Sequence, residues 1–591
     1  MIRFDRASLA RLATELTVYG LLSVAFSWPL ITRPTDAIVA RHFDIFSMLW
    51  LLDVAPDLGV QLVTPLGGHP FVEDLRSVDS YVLLAIGFVL CRFLTPITVA
   101  SLVTLLGPVV SALAAGRFAG TVLGARHPWT LLAGVIYGFS GLAATALLEG
   151  HVYVLLNPWL PLLGISLWRA TRPEGRVRDG LLAGLTWGLS LYTTAYVGMA
   201  AALLVLWLLA DGALRFGRRL PLRPILASAL VAFPLALYYV ALFRGDTVES
   251  LSYSSFKPSP VAEIFTGSAH LVGLAGVTPL TDAQNHSMAP VLGFTALALC
   301  LVAPVVLRRD TPRGWGTWAL LGLFVILLSL GPIIGIKPDR GRYIPGLLWP
   351  ILYLESNYFR FPVRLLWTGY LCLGGLAALV ATRLAERRGR LAWPLFLFLA
   401  VDVLGGQRTW ARTTLTPMLV PSAYASLAPD GAILEALPAV HGGARELDLY
   451  VGNLTCTYQR LHRRPFSNVC LNTKVWESPR HVLSGWLFRR VLLRVARERD
   501  QEVSGTPDVD RNVIVDTLGD LGIRSIVLHP DLLPRDERAQ ILDGMRDLLG
   551  EASADGHDGG EWVQVFTVPP RRTPAARSAE QAFAAVLKEL K

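Results

Sequence analysis

The residue whose type and setting most suggest chemistry is Asp44, in Arg41-His42-Phe43-Asp44-Ile45-Phe46-Ser47-Met48-Leu49-Trp50. Read as a helix, this run is almost wholly apolar, with Asp44 and Ser47 three apart on one face. Such a helix is expected to lie in a membrane interface, with Phe43, Phe46 and Trp50 among the headgroups. A carboxylate held there is costly unless it is paired or used. Its use would be as a general base, taking the proton of an acceptor hydroxyl while a lipid-linked phosphate leaves. The plainer alternative is an acid placed against the helix macrodipole.

Two further constellations suit the same chemistry. Glu149-Gly150-His151 leads into Asn157-Pro158-Trp159-Leu160-Pro161, so a carboxylate and an imidazole share one short turn. Together they can hold a divalent cation or orient a phosphate. Two ligands do not make a metal site, and a polar hairpin capping two helices is the alternative. Arg360 and Arg364, in Asn357-Tyr358-Phe359-Arg360-Phe361-Pro362-Val363-Arg364, lie four apart. Guanidinium forks match phosphate oxygens, whereas snorkelling to headgroups needs no ligand at all. The long segment 243–289 carries Arg244, Asp246, Glu249, Tyr253, His270, Asp282 and His286, and its length suits a substrate-covering loop.

The elements that must position these groups are membrane helices. Of 591 residues 53% are hydrophobic and 17% charged, with mean hydropathy +0.47; soluble proteins carry about a quarter charged. The net charge of +9 brings nucleic acid to mind. Only five of the 54 cations are Lys, however, and many Arg sit between apolar runs, which favours a bilayer and excludes a nucleic-acid partner. Apolar runs long enough to cross, about 20 residues, fall at 12–31, 98–123, 129–148, 152–169, 180–194, 196–213, 224–242, 290–307, 315–331, 363–383 and 390–405, eleven in all.

Arg placement orients them, because cytoplasmic loops hold the excess of cations. With the N-terminus inside, the inner loops collect Arg126, Arg169, Arg172, Arg215, Arg218, Arg219, Arg383 and Arg387, while the turns 149–151 and 193–196 hold none. Counting 80–95 as a twelfth span would reverse this, so it is read as re-entrant or interfacial. Residues 32–97, 243–289 and 406–591 then face outward, as does 332–362 despite its Lys337, Arg340, Arg342 and Arg360. The chain is expected to be a multi-pass protein of the inner (plasma) membrane with a retained N-terminal anchor.

Hydropathy drops after residue 405. Residues 1–405 are read as the transmembrane domain and 406–570 as an outer α/β domain. Its expected strands are 432–437, 447–451, 523–528 and 562–568, and its expected helices 480–499, 511–521 and 534–549. The end, 571–591, is expected to be a loosely held tail. Cys91, Cys300 and Cys372 lie in apolar helices as small hydrophobes. Cys456 and Cys470, 14 apart in the outer domain, suit a disulfide in an oxidising compartment. The intervening His462-Arg463-Arg464 reads as a solvated basic loop.

No P-loop, Gly-rich dinucleotide fingerprint or Cys/His zinc spacing is present. What remains, in order, is an Asp in a first-loop helix, a Gly-His turn before Asn-Pro-Trp-Leu-Pro, Leu-Ser-Leu-Gly-Pro at 328–332 and Phe-Arg-Phe-Pro-Val-Arg at 359–364. In that order the chain resembles bacterial multi-pass membrane proteins of the GT-C glycosyltransferase superfamily, in the branch with a C-terminal outer domain. The resemblance implies a mainly α membrane fold and transfer of a sugar from a polyprenyl-phosphate donor to a glycan, lipid or protein acceptor on the outer face. It also implies that Asp44 matches the catalytic acid of the first loop, although Phe43 stands where the superfamily commonly has Gly and no Asp-X-Asp follows. A non-catalytic scaffold of envelope assembly, or a transporter, is the reading from a different class.

Overall fold

The computed structural model describes residues 6–39, 44–58, 62–64, 73–74, 80–243, 294–307, 314–329, 333–337, 342–345, 362–387, 389, 415–417, 421–436, 459, 463–465, 467, 479–498, 510–557, 562–570 and 577–590. The expected span 390–405, the strand 447–451, Arg360, Cys456 and Cys470 lie outside them, as does nearly all of 243–289. The chain divides into two compact units. One comprises residues 1–41, 79–86 and 97–416; the other comprises 42–78, 87–96 and 417–591.

In chain order the helices up to residue 243 are α1 (Arg6–Phe26), α2 (Asp44–Val54), α3 (Tyr81–Leu90), α4 (Pro96–Phe118), α5 (Trp129–Gly138), α6 (Gly141–Glu149), α7 (Val152–Leu155), α8 (Trp159–Ala170), α9 (Val177–Thr193), α10 (Ala195–Phe216) and α11 (Leu222–Phe243). After these come α12 (Phe294–Val306), α13 (Trp315–Ser329) and α14 (Leu366–Arg387). Six stretches among the described residues are helical, long and apolar enough to cross a membrane: Ser8–Phe26, Pro96–Leu123, Trp129–Leu148, Ala195–Arg219, Leu222–Ala241 and Leu366–Arg387. α3 has 10 residues, about 15 Å of helix, half the ~30 Å of a hydrocarbon core.

Small residues set the packing of the first unit. Gly180, Gly184 and Gly188 form a stripe along α9, where a Cβ would collide with the Pro224 and Ser228 carbonyls and with Leu235 of α11. Without a hydrophobic force between helices in lipid, such close approach is what holds them together. Gly134 and Gly138 do the same for α5, against Tyr19 of α1 and the Pro108 and Ala112 backbone of α4. Outward, Leu222, Leu226, Leu230, Phe233 and Leu237 of α11 are exposed, an apolar stripe suited to lipid.

The expected span 152–169 is not one helix. α7 stops after four residues and α8 begins at Trp159. Pro158 explains the break: it lacks an N–H and disfavours helical dihedrals at Asn157.

The second unit holds α2 and, beyond residue 417, a four-stranded sheet with helices α15 (Pro479–Glu498), α16 (Arg511–Asp520), α17 (Arg538–Leu549) and α18 (Ala579–Leu590). Its strands are β1 (Ala432–Ala436), β2 (Ile523–Leu528), β3 (Ala554–Gly556) and β4 (Val563–Thr567), in the order β1-β2-β4-β3. β1 and β2 are parallel, and β4 is antiparallel to both β2 and β3. Ile526, Leu528 and Phe566 of the sheet pack with Trp486, Val491, Ile514, Met545 and Phe583 in one core.

The expectation of a loosely held tail is corrected by α18. Ala582, Phe583 and Val586 are buried in that core, and Glu589 pairs with Arg490 at 2.7 Å. An amphipathic helix with a complementary groove docks, whatever its place in the chain.

Candidate functional site

In the first unit the Gly-His turn is a helix C-cap. Gly150 adopts φ 80°, the left-handed region open to glycine, and the His151 N–H donates to the Ala146 carbonyl at 2.8 Å. His151 is half-buried, and its ring meets Tyr153 edge-on at 5.8 Å between centroids. Glu149 ends α6, with its side chain outside the described part. Among the described residues no three His, Cys, Asp or Glu side chains gather as a metal set.

The broken segment after His151 is pinned by polar contacts. The Asn157 N–H donates to Ser111 Oγ at 2.9 Å, Ser111 Oγ donates to the Leu155 carbonyl at 2.9 Å, and Tyr137 Oη donates to the Asn157 carbonyl at 2.9 Å. Proline-interrupted backbone survives in a bundle because neighbouring side chains satisfy the freed groups. Asn157 is wholly buried, and among the described residues neither polar atom of its side chain has a hydrogen-bond partner. An amide in that state is costly and is one that a ligand or water would stabilise.

The same chain of contacts reaches the third constellation. Tyr137 packs edge-on against Trp367 of α14 at 5.4 Å, one turn beyond Arg364. Arg364 sits in the 3-10 turn Pro362–Leu365, is 7% exposed, and places its guanidinium 5.0 Å from the ring centre of Tyr196 at the start of α10. Thr368 Oγ1, donating to the Ala200 carbonyl at 2.9 Å, fixes α14 to α10 there. A cation against an aromatic face in a buried setting is held, not snorkelling. The first unit thus links Asn157 of the broken segment to α4, α5 and the start of α14 through Ser111, Tyr137 and Trp367.

Asp44 belongs to the second unit, where it opens α2; its side chain lies outside the described part. α2 differs from the interfacial helix expected. Phe46 is 2% exposed and Trp50 0%, so these two of the side chains assigned to headgroups are enclosed by protein; Phe43 lies outside the described residues. A helix apolar all round is a buried helix. At its far end, Arg463 donates to Asp57 at 2.9 Å and lies 3.5 Å from Asp53. Gly87 lets its chain approach closely, since a Cβ there would meet Ala55 and Leu52 at 3.0 Å.

The segment bearing Arg463 is itself held by the sheet. Ile433 of β1 donates to the Pro465 carbonyl at 2.9 Å and accepts from the Ser467 N–H at 3.0 Å, so Pro465 and Ser467 cover the free edge of β1. Arg463 has φ 45°, and Arg464 donates to the Ala428 carbonyl and, at 3.2 Å, to that of Asp430. Arg463 and Arg464 of the run expected as a solvated loop form a latch between the sheet and the end of α2, and His462 lies outside the described residues. Its partners Asp53 and Asp57 escape a sequence reading because nothing local marks them.

A third polar cluster is buried beside β1. Tyr424 Oη donates to Glu435 at 2.9 Å, and His529 Nε2 lies 3.2 Å from the other carboxylate oxygen. Glu435 and His529 are 0% and 2% exposed. A buried acid with both oxygens engaged fits the cost of burying charge.

No protein-family model matches the chain, and no curated protein sequence matches it. Among solved structures, it is similar to the arabinofuranosyltransferase AftD from Mycobacteria, with TM-score 0.51 and 15% identity over 97% of this chain and 40% of that one. The chain therefore spans less than half of AftD. It is also similar to ArnT from Cupriavidus metallidurans bound to undecaprenyl phosphate, with TM-score 0.40 and 12% identity over 93% and 97% of the two chains. AglB from Archaeoglobus fulgidus, in complex with an inhibitory peptide and a dolichol-phosphate, gives TM-score 0.45 and 11% identity over 90% and 71%. With its apolar helices and its likeness to AftD, the chain is a multi-pass membrane protein with a GT-C-like fold.

Proposed function

We propose that the chain is a membrane glycosyltransferase that moves a sugar from a polyprenyl-phosphate-linked donor to an acceptor hydroxyl on the outer face. The observation that carries this reading is a GT-C-like fold over 97% of the chain whose first-loop helix opens on Asp44. In the reaction, the acceptor oxygen attacks the anomeric carbon and the bond from that carbon to the phosphate oxygen breaks. The electron pair leaves with the polyprenyl phosphate. Asp44 takes the acceptor proton. Arg364, with Arg360 four residues before it, takes the leaving phosphate as a charge-assisted partner. Glu149 and His151 orient the phosphate, and the reading routes no step through a metal.

Support for Arg364 in this role is its burial and its place over the Tyr196 ring: a guanidinium already desolvated and held needs little reorganisation when charge develops beside it. The orphaned amide of Asn157 supports a polar ligand near the same segment. The C-terminal sheet domain is assigned to acceptor binding, and the Cys456–Cys470 disulfide to its stabilisation.

Asp44→Asn tests the assignment. In membranes containing the wild-type or variant chain at equal amount, consumption of polyprenyl-phosphate sugar is expected to fall at least 100-fold in the variant, as for loss of a general base. Equal consumption would remove Asp44 as the base. No consumption by the wild-type chain with any polyprenyl-phosphate sugar would favour the scaffold reading.

A further inference from the structure

The Arg-rich helix ends of the first unit enclose a small cavity of about 50 Å³ where α8, α10, α13 and α14 end or begin. Trp168, Trp315 and Trp318 form its apolar wall, and Arg172, Asp211 and Arg215 its polar one. Tryptophan concentrates at the membrane–water boundary, so three of them around one cavity set it at headgroup depth. Further along α10 and α13 from the cavity, Leu206 and Leu320 are exposed.

The polar wall is unevenly satisfied. Arg215 pairs with Asp211 at 2.6 Å, and Thr317 Oγ1 takes a hydrogen bond from Arg215 while donating to Asp211 at 2.8 Å. Oδ1 of that carboxylate is therefore engaged twice. Arg172 has no such partner among the described residues: its guanidinium lies 3.5 Å over the Trp168 ring and joins no ion pair or side-chain hydrogen bond there. Partial burial lowers its pKa, and the charge of Arg215 adds to this against the opposing pull of Glu174. Among the described residues two guanidiniums thus face one cavity with a single carboxylate on its wall, and a fork pre-oriented by stacking suits phosphate oxygens.

We propose that this cavity binds the phosphodiester of an anionic phospholipid, with Arg172 and Arg215 on the phosphate and the tryptophans on the glycerol and upper acyl chains. The site is independent of the sugar-transfer reading: it uses none of those residues. Basic pockets between membrane helices hold anionic headgroups elsewhere by the same physics.

The test uses the purified full chain and native mass spectrometry, with phosphatidylglycerol and phosphatidylcholine of matched acyl chains supplied in equal amounts and inorganic phosphate in a separate arm. The wild type is expected to retain phosphatidylglycerol preferentially. Arg172→Gln is expected to cut that preference about fivefold, and Arg172→Gln with Arg215→Gln further. Arg218→Gln, on the exposed turn Gly217–Arg219 outside the cavity, is expected to leave it unchanged. Because Arg215 also braces Asp211 and Thr317, the single Arg172 variant decides the matter if the double variant does not fold. Equal retention of both lipids, an Arg172→Gln effect no larger than that of Arg218→Gln, or phosphate binding without lipid preference would each overturn the proposal.

Discussion

Replacing Arg463 by Ala should loosen α2 while leaving the sheet that carries Arg463 intact. The Arg463–Asp57 contact is half-exposed on both sides, 53% and 58%, and such pairs contribute about 0.2–1 kcal/mol. Asp53 differs: its side chain is 10% exposed, and the contact is longer at 3.5 Å. Deleting the cation leaves that acid with less compensation, at a cost nearer the lower end of the ~1.5–3 kcal/mol for hydrogen bonds to charged groups. Together the loss is about 2 kcal/mol, a factor of roughly 30 in a local opening equilibrium. Hydrogen exchange followed by mass spectrometry on the full chain reads this directly: amides of 44–54 should exchange faster by about that factor, with β2 and β4 unchanged. Arg464→Ala is the control, since its bonds go to the Ala428 and Asp430 carbonyls and none to α2. If exchange of 44–54 is the same in the Arg463 variant and the wild type, or rises equally in the Arg464 variant, the latch has no energetic content. If the Asp44 assignment holds, the Arg463 variant should also lose turnover, because small displacements of a reacting group are costly.

Three further outcomes follow from the packing. Burial works to raise the Glu589 pKa, but hydrogen bonds from Arg490 and Trp486 outweigh it and hold the carboxyl below its usual 4.5. The stabilisation is then fully present above that usual value and is lost as pH falls through the lower folded one. Proteolysis of α18 should accelerate only below about pH 4.5, and Glu589→Gln should abolish that dependence. Phe583→Ala empties a core position 7% exposed, at a cost of about 3 kcal/mol, visible as a lower unfolding temperature of the C-terminal unit; an unchanged temperature would contradict the docked helix. Gly184→Leu places a large side chain where even a Cβ collides with the Ser228 carbonyl, so folded protein recovered from membranes should fall sharply, whereas Gly316→Leu, with open space around it, should not reduce it.

Much of the bundle was legible because hydropathy is a local property. The expected spans 98–123, 129–148, 196–213 and 224–242 lie within a few residues of helical stretches long enough to cross, since each announces itself by composition alone. The strands 523–528 and 562–568 were similarly legible from apolar runs, and β1 is found within 432–437. The break at Asn157-Pro158 was written in the sequence and was overridden by average hydropathy. β3, only Ala-Asp-Gly, has no strand-like composition and exists because β4 offers it an edge.

The candidate site divides along the same line. Asp44, His151 and Arg364 stand out as polar residues in apolar surroundings, which a single sequence displays. What fixes their supports does not: Asp53 meets Arg463 across 410 positions, and Arg364 meets Tyr196 across the bundle. Neither partner has an unusual neighbourhood in the chain, so composition gives Arg463 the appearance of a solvated loop residue. The physical difference is visible only after folding, when Asp53 is found nearly enclosed and therefore in need of a cation. Helix α2 gives the converse lesson. Its all-apolar sequence fits a headgroup layer and a protein interior equally well, because both remove the same surface from water. Only the near-zero exposure of Trp50 separates them. A first-loop acid on a protein-enclosed, latched helix is held by the fold itself and not by the membrane surface, so its placement should survive changes of lipid that would displace an interfacial helix.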